Sequence, residues 1–277
     1  MGLIDFILNL AGLLLWLNWC SVPLDPLAQP SAKTLLGTLR RAGPGGWGRW
    51  KFMAALAALL LIRPLFYWQI GSALNWMPHL NLTAVGPPFQ SEFLRRMFLF
   101  SLFSFGLTLA VFYSWLLFLA LINRRIAAAD PFQKLVHAHL GKVGRWPWPM
   151  QLPLPFVAAG MIWLALHPLL VHWEIVPATK STVQLLKQAL LMGIGAYLPL
   201  KYLIAGFLFA HLLASYVYLG NHPFWNFVNV TARHLLAPLR WAPLRLGKVD
   251  FTPLVGIVLV FLAAEFALYW LPKIYLP

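Results

Sequence analysis

The sequence predicts an all-α membrane protein, with six transmembrane helices arranged as three tandem helical hairpins. Composition is the first reason: the 277 residues are 61% hydrophobic and 10% charged, whereas soluble domains carry about 25% charged residues. Repetition is the second, because one pattern occurs three times: an apolar run, a turn with proline, a short basic stretch and another apolar run. Such repetition predicts the architecture before any residue is given a role.

Six segments are apolar over the length that the hydrocarbon core requires, which is roughly 20 residues. In chain order they are residues 2–22, 52–70, 97–122, 152–173, 197–219 and 253–271. Residues 182–196 are apolar as well, but together with the fifth segment they make a run too long for one helix, and Pro199 lies near the join. We therefore interpret residues 182–196 as an interfacial or tilted lead-in to the fifth span.

Turns that contain proline define the hairpins. Each turn lies between two apolar runs, and the three are Asp25-Pro26, Asp130-Pro131 and His222-Pro223. The second and third copies align without a gap at an offset of 92 residues, from Pro131 to Pro223. The predicted repeats are residues 1–80, 81–180 and 181–277. Pro131 and Pro223 suit the first turn of a helix, where an N–H has no intrahelical partner to lose.

A basic amphipathic interfacial helix is predicted in the loop of each hairpin, and the last two loops show its pattern. At helical spacing, the apolar face in the third loop comprises Phe224, Val228, Leu235 and Leu239. Its polar face comprises Asn226, Asn229, Arg233 and Arg240. The second loop repeats the pattern more briefly, with Phe132, Leu135, Val136 and His139 opposite Lys134 and His137. We expect both helices to lie flat at the membrane surface, with the apolar face in the acyl chains.

The formal net charge of +14 has two explanations. A basic protein can bind nucleic acid through its phosphates, but most of the 21 Lys and Arg residues lie in the three hairpin loops. Six spans place these loops on one side, which the positive-inside rule makes cytoplasmic, so both termini are outside. We expect contact with anionic headgroups, worth about 1 kcal/mol per basic residue, and no nucleic acid. The lipid-contact candidates are Lys134, Arg145, Arg233, Arg240, Arg245 and Lys248.

The third loop resembles the YggT family, which is called YlmG in photosynthetic lineages. The residues that carry the resemblance are His222, Pro223, Pro238, Arg240, Gly247, Asp250, Thr252 and Pro253, and Asp130-Pro131 repeats the turn. Asp250 or Thr252 also suits the cap of the last helix. The family usually has Asn-Pro at the turn, Ser-Pro at the last helix and one or two hairpins. His222, Thr252 and the third hairpin are departures from that pattern.

The resemblance implies a noncatalytic protein of the bacterial plasma membrane that organises or assembles membrane components, and its partners would be other membrane proteins. Family members are linked to osmotic tolerance, division and cytochrome assembly. Two alternatives stay open: an accessory subunit of a respiratory or photosynthetic complex, and a transporter or channel for ions or small solutes, which repeats and intramembrane charges suggest. The chain has no phosphate-binding Gly-rich loop and no paired carboxylates, so we expect no enzyme.

Ionisable side chains inside a span are functional candidates, because they are costly in lipid. Alignment of the outgoing helices places Arg63, His167 and Glu265 at one depth. One hypothesis is that Arg63 and Glu265 pair across the bundle with His167 nearby, forming a polar cluster. The alternative is that Arg63 extends to the outer interface and Glu265 is solvated or meets a partner subunit.

His211 lies inside the fifth span. A neutral imidazole there could ligate haem or chlorophyll, but no second histidine lies at a matching depth to complete a bis-His site. The alternative is a hydrogen bond to a neighbouring helix. We favour the hydrogen bond, and we expect neither a resident cofactor nor a metal.

Overall fold

The computed structural model describes residues 2–20, 46–73, 76, 78, 89, 91–124, 130–179, 181–217, 220, 222–239, 241, 245–246 and 249–275. Its α-helices are α1 (Gly2–Trp19), α2 (Gly46–Ala73), α3 (Leu94–Ile122), α4 (Pro131–Leu140), α5 (Trp148–Gln151), α6 (Leu154–His172), α7 (Thr182–Gly195), α8 (Leu200–Tyr216), α9 (Pro223–Leu235) and α10 (Thr252–Tyr275). Short 3₁₀ turns occupy Val143–Arg145 and Ala237–Leu239, and strands β1 (Arg245–Leu246) and β2 (Val249–Asp250) pair antiparallel. The Asp25-Pro26 turn lies outside the described residues.

Six helical segments among the described residues are long and apolar enough to cross a membrane, which confirms the predicted class. They are Gly2–Trp19, Trp50–Gly71, Leu94–Ile122, Trp148–His172, Thr182–Tyr216 and Thr252–Leu271. Sequence could predict them because a helix satisfies all of its backbone hydrogen bonds internally. In hydrocarbon there is no water to do so, so an apolar run of this length has few other structures open to it.

The fifth segment is divided into two helices, as the position of Pro199 suggested. Between α7 and α8, the N–H groups of Tyr197 and Leu198 donate to carbonyls three residues earlier, at 3.1 Å in both cases. A single straight helix over 35 residues would be about 50 Å long, against a hydrocarbon core of about 30 Å. The segment predicted as a lead-in is therefore a helix of its own, and it packs against α6.

The chain divides into two compact units inside α3, between Ala110 and Val111. In the first unit α1 packs against α2, and a Cβ on Gly12 of α1 would lie 2.8 Å from the Phe105 ring of α3. The missing side chain thus lets these helices approach closely. The point of division is not a boundary between two predicted repeats, so the repeats at residues 1–80, 81–180 and 181–277 stay a prediction.

The second unit has two close helix pairs, α6 with α7 and α8 with α10, and α9 packs against α8. Small residues bring α6 and α7 together: a Cβ on Gly193 would lie 2.9 Å from the carbonyl oxygen of Phe156, and one on Gly160 would lie 3.3 Å from that of Ala189. A separate apolar core joins the end of α3 to the helices of the loops. Its buried members are Leu116, Leu117, Leu119, Ala120, Val136, Leu140 and Phe227.

The proline turns begin helices as predicted. Asp130 caps α4 by accepting hydrogen bonds from the N–H groups of Phe132 at 2.8 Å and Gln133 at 3.3 Å. His222 does the same for α9, since its Nδ1 accepts from the N–H of Phe224 at 3.3 Å. An imidazole nitrogen therefore replaces a carboxylate as the capping acceptor, which gives the departure at His222 a local physical role.

The last span is capped as well. The carboxylate of Asp250 accepts a hydrogen bond from the backbone N–H of Thr252 at 2.9 Å and another from its hydroxyl. Pro253 is the second residue of α10, where the lack of an N–H removes no helical bond. Both capping candidates thus take part, with Asp250 as the acceptor.

The buried face of α9 agrees with the predicted one in part, since Val228 is buried and both Leu235 and Leu239 pack against a buried cluster. The buried face comprises Phe227, Val228, Thr231 and Ala232, whereas Phe224, predicted on the apolar face, is 38% exposed. Because α9 packs against α8 and α4, tertiary contacts rather than hydropathy alone select the stripe that is covered. In α4 the buried residues are Gln133, Val136 and Leu140, and Phe132 packs against the same core, so Phe132 and Val136 lie on the inner face as predicted. Whether these helices lie at the membrane surface stays a prediction.

Candidate functional site

Five polar side chains meet inside the first unit, on three membrane-spanning helices. Asp5 and Asn9 come from α1, Arg63 and Tyr67 from α2, and Ser104 from α3. Each of the first two pairs is spaced by four residues, so its members share one helix face. Arg63 is 2% exposed, and Asn9, Tyr67 and Ser104 are also buried. We name these five residues the Asp5–Arg63 cluster.

The carboxylate of Asp5 accepts four hydrogen bonds. Its Oδ1 accepts from Arg63 Nη2 at 2.7 Å and from the Tyr67 hydroxyl at 2.8 Å. Its Oδ2 accepts from Ser104 Oγ at 2.9 Å and from Asn9 Nδ2 at 3.1 Å. Both oxygens are therefore doubly satisfied, which offsets part of the free energy that burial of a charge costs.

The guanidinium of Arg63 is fixed on three sides. In addition to Asp5, Nη1 donates to Asn9 Oδ1 at 2.9 Å and Nε donates to the Tyr67 hydroxyl at 3.2 Å. Asn9 Nδ2 also donates to Ser104 Oγ at 2.8 Å, so the hydrogen bonds close on themselves. The planar guanidinium suits this use, because its donors point in fixed directions.

Pro64 opens a further contact next to the cluster. It lies inside α2 and has no N–H, so the carbonyl of Leu60, four residues earlier, loses its usual helical donor. Ser101 Oγ of α3 donates to that carbonyl at 3.3 Å. Since an unpaired carbonyl is costly at membrane depth, Ser101 both satisfies α2 and joins it to α3.

Aromatic rings enclose one side of the cluster. The ring of Tyr67 packs edge-on against Trp76 and Phe100, at centroid distances of 5.4 and 5.8 Å. Phe89, which is buried, packs against Phe100 at 5.6 Å. By excluding water, these rings lower the local dielectric and so strengthen the Asp5–Arg63 attraction.

In place of the hypothetical Arg63–Glu265 pair, the structure gives each charge another partner. Arg63 pairs with Asp5 at 2.7 Å, and Glu265 pairs with Lys201 of α8 at 3.4 Å. Alignment by depth identifies side chains at the same level, but it does not identify neighbouring helices. The available signal was Asp5, an acidic residue within the span that precedes the one with Arg63.

His167, the third member of the predicted cluster, is buried in α6 beside Trp163, which lies one turn earlier in the same helix. Its ring packs edge-on against Trp163 at 6.0 Å, and Trp163 Nε1 donates to Gln188 Oε1 of α7 at 3.3 Å. Nε2 of His167 has no hydrogen-bond partner among the described residues. The structure thus associates His167 with the α6–α7 pair.

His211 makes the hydrogen bond that was the alternative to a cofactor. Its Nδ1 lies 2.8 Å from Asn229 Oδ1 of α9. That contact joins the fifth span to the helix in the third loop. Asn229 was predicted on a polar face open to the headgroups, and the structure uses it inside the protein instead.

The structure describes some of the lipid-contact and family-motif residues. Lys134 is exposed on α4, Arg145 is exposed in the first 3₁₀ turn, and Arg233 is exposed on α9. Pro238 is exposed in the second 3₁₀ turn, and Arg245 belongs to β1. Arg240, Gly247 and Lys248 lie outside the described residues.

A second polar contact, not foreseen from sequence, fixes α9 to the end of α3. Asn123 and Thr231 are fully buried, and Asn123 Nδ2 donates to Thr231 Oγ1 at 2.8 Å. Asn123 Oδ1 also lies 3.3 Å from His234 Nδ1. The only sequence signal was an asparagine directly after a long apolar helix, which fits many other structures.

Replacement of Thr231 by valine is expected to destabilise the protein by about 1–3 kcal/mol, because Asn123 is then buried without that acceptor. Hydrogen exchange of the α9 amides in detergent should accelerate, and thermal unfolding should occur at a lower temperature. Thr231→Ser keeps the hydroxyl and is the matched control. Equal exchange rates in Thr231→Val and Thr231→Ser would show that this hydrogen bond does not hold α9.

No family model, no curated protein and no solved structure matches this chain. The resemblance to the YggT family therefore stays an expectation based on the residues quoted for it.

Proposed function

We propose that this chain is a noncatalytic multi-pass membrane protein that organises or assembles other membrane components. The Asp5–Arg63 cluster is the observation that carries this proposal. Its two charges bind each other and three neutral side chains, and Arg63 is almost fully buried. A transport site needs groups that exchange their partners with a substrate or ion, whereas this cluster uses its polar groups to join three helices.

The surfaces of the spans support the same proposal. In the apolar part of Thr182–Tyr216 only 6% of the residues are buried, and the largest share in any of the six spans is 28%. Fully buried side chains are therefore a minority in every span, and the exposed apolar side chains can face lipid or other membrane proteins. Exposed apolar helix surface of this kind is suited to contact with other membrane components.

The location proposed is the bacterial plasma membrane, with both termini outside and the basic loops in the cytoplasm. Exposed Lys134, Arg145 and Arg233 support contact with anionic headgroups. The resemblance of the third loop to the YggT family supports the proposed organising role. Osmotic tolerance, division and cytochrome assembly are the processes that the family suggests.

A second candidate is a permanent accessory subunit of a larger respiratory or photosynthetic membrane complex. The specific observation in its favour is the carboxylate of Glu265, which is exposed on a membrane-spanning helix. An exposed charge at such a position is costly in lipid and marks a surface where a partner can bind.

Two measurements test the proposal together. Liposomes that contain the purified protein should leak no more ions or solutes than empty liposomes. Mild detergent should extract the protein from native membranes together with other membrane proteins, each at less than one copy per chain. Saturable flux above that of empty liposomes would favour the transporter. A partner at one copy per chain would favour the accessory subunit.

A further inference from the structure

Glu265 lies well inside the last span. It is 13 residues after Thr252, the first residue of α10, so it is about 20 Å along the helix axis at 1.5 Å per residue. Tyr269 and Trp270 follow one to two turns later, and the Lys273 ammonium lies 3.8 Å from the ring centroid of Tyr269 and 4.4 Å from that of Trp270. Aromatic and basic residues of this kind are typical of the membrane interface, so Glu265 is on the hydrocarbon side of that boundary.

An outward face of α10 includes Glu265. Its members are exposed and recur every three or four residues, which places them on one stripe of the helix. We name them the α10 outer face: Leu254, Val258, Leu262, Glu265 and Tyr269. Spacings of three and four residues are typical of helices that pack side by side along a seam.

The ion pair with Lys201 leaves the carboxylate turned outward. Lys201 is 12% exposed, whereas the Glu265 side chain is 66% exposed, and their contact is 3.4 Å, through Oε1. The Lys201 ammonium also lies over the rings of Tyr202 and Phe261, at 5.3 and 5.7 Å from their centroids. An ionised carboxylate can accept about four hydrogen bonds, so Glu265 has capacity left for a donor that comes from outside the chain.

We propose that the α10 outer face binds a transmembrane helix of another protein, which places a Lys or Arg side chain at the depth of Glu265. This inference rests on the proposed organising function and names the chemistry of the partner. The apolar members of the face supply the packing surface, and the cation balances the carboxylate in a medium where an exposed charge is costly.

The charges favour a different protein over a second copy of this chain. In a symmetric dimer through this face, each copy would present the same patch to the other. Glu265 would then approach the carboxylate of the other copy. Lys201 is largely buried and lies over the rings of Tyr202 and Phe261, so it cannot neutralise both carboxylates. Like charges at close range oppose such a dimer.

Designed transmembrane peptides provide the test. One Leu/Ala peptide carries a single Lys at the depth of Glu265, and its control carries Leu there. Förster transfer from the chain's tryptophans to a dansyl group on the peptide reports association, with the full chain in phosphatidylcholine vesicles. The Lys peptide should bind the unmodified chain about tenfold more tightly than the Leu peptide, the size expected of one interhelical polar contact.

Variants of the chain locate that preference. Glu265→Leu should abolish it, and Glu265→Asp, which keeps the carboxylate, should retain it. Glu265→Leu leaves the Lys201 ammonium without its carboxylate partner. The double variant Glu265→Leu/Lys201→Leu removes both charges, so it avoids this unpaired charge and should also lack the preference. Persistence of the preference in a folded variant that lacks Glu265 would overturn the proposal.

Other outcomes overturn it as well. Equal binding of the Lys and Leu peptides would show that the face does not select a cation. Crosslinked dimers of the chain that disappear in Glu265→Leu would assign the face to a second copy, and competition by phosphatidylethanolamine would assign it to a lipid amine. If the peptides fail while native complexes persist in Glu265→Leu, the organising function stands. If the peptides bind but the chain conducts ions and has no partners, that function fails and the cation-binding face stands.

Discussion

Arg63→Ala is expected to lower the free energy of unfolding by about 3–5 kcal/mol, since removal of one partner from a buried ion pair leaves the other charge uncompensated. Asp5 would keep the hydrogen bonds from Tyr67, Ser104 and Asn9 but lose the cation that neutralises it. Denaturant unfolding in detergent and accumulation in the membrane measure the effect. Arg95→Ala, on the exposed start of α3, is the matched control and should change stability little.

The double variant Asp5→Leu/Arg63→Met distinguishes the loss of charge balance from the loss of hydrogen bonds. Replacement of a buried ion pair by apolar side chains of similar size is often neutral or stabilising. We therefore expect the double variant to recover most of the stability lost in Arg63→Ala and to accumulate in membranes. A double variant that is less stable than Arg63→Ala would mean that hydrogen bonding by the cluster, rather than its charge, holds the three helices.

Gly193→Ala is expected to destabilise the α6–α7 pair by about 1–3 kcal/mol, the range for overpacking. The new Cβ would lie 2.7 Å from the Phe156 ring and 2.9 Å from its carbonyl oxygen. The ring can rotate, but the carbonyl belongs to the backbone of α6, so the helices must separate. Thermal unfolding in detergent checks the size of the effect.

Gly206→Ala is the control for this substitution and should have the opposite sign. A Cβ on Gly206 of α8 meets nothing within 4 Å, so the change only reduces the backbone freedom of the unfolded chain, which favours the helix by about 0.5–1 kcal/mol. If both variants unfolded at the same temperature, close approach at Gly193 could not be what sets the α6–α7 packing.

Local features were predictable from sequence because their causes are local. Apolar length predicts the spans, and a proline preceded by an acceptor side chain predicts the starts of α4 and α9. His222 caps α9 although the corresponding residue before α4 is Asp130, since both side chains offer an acceptor to the N–H two residues later. The division of the fifth segment near Pro199 belongs to the same class.

The partners of charged and polar side chains depend on which helices are neighbours. Arg63 and Glu265 share a depth in the aligned repeats, but the structure pairs Arg63 with Asp5 and Glu265 with Lys201. The inner face of α9 was likewise selected by the helices against which it packs. The period of the sequence specifies neither the ionic partners nor the exact bounds of the α9 inner face, because both depend on helices that are distant in the chain.

By itself, the sequence of this protein determined its membrane class, the positions of six spans and the caps of its loop helices. These follow from hydrophobicity and backbone hydrogen bonding, which act over a few turns of one helix. Only the tertiary structure decided that Asp5, Asn9, Arg63, Tyr67 and Ser104 form one cluster and that Glu265 is turned outward. Burial and electrostatic attraction depend on distances between helices, and residues far apart in sequence set those distances only when the chain has folded.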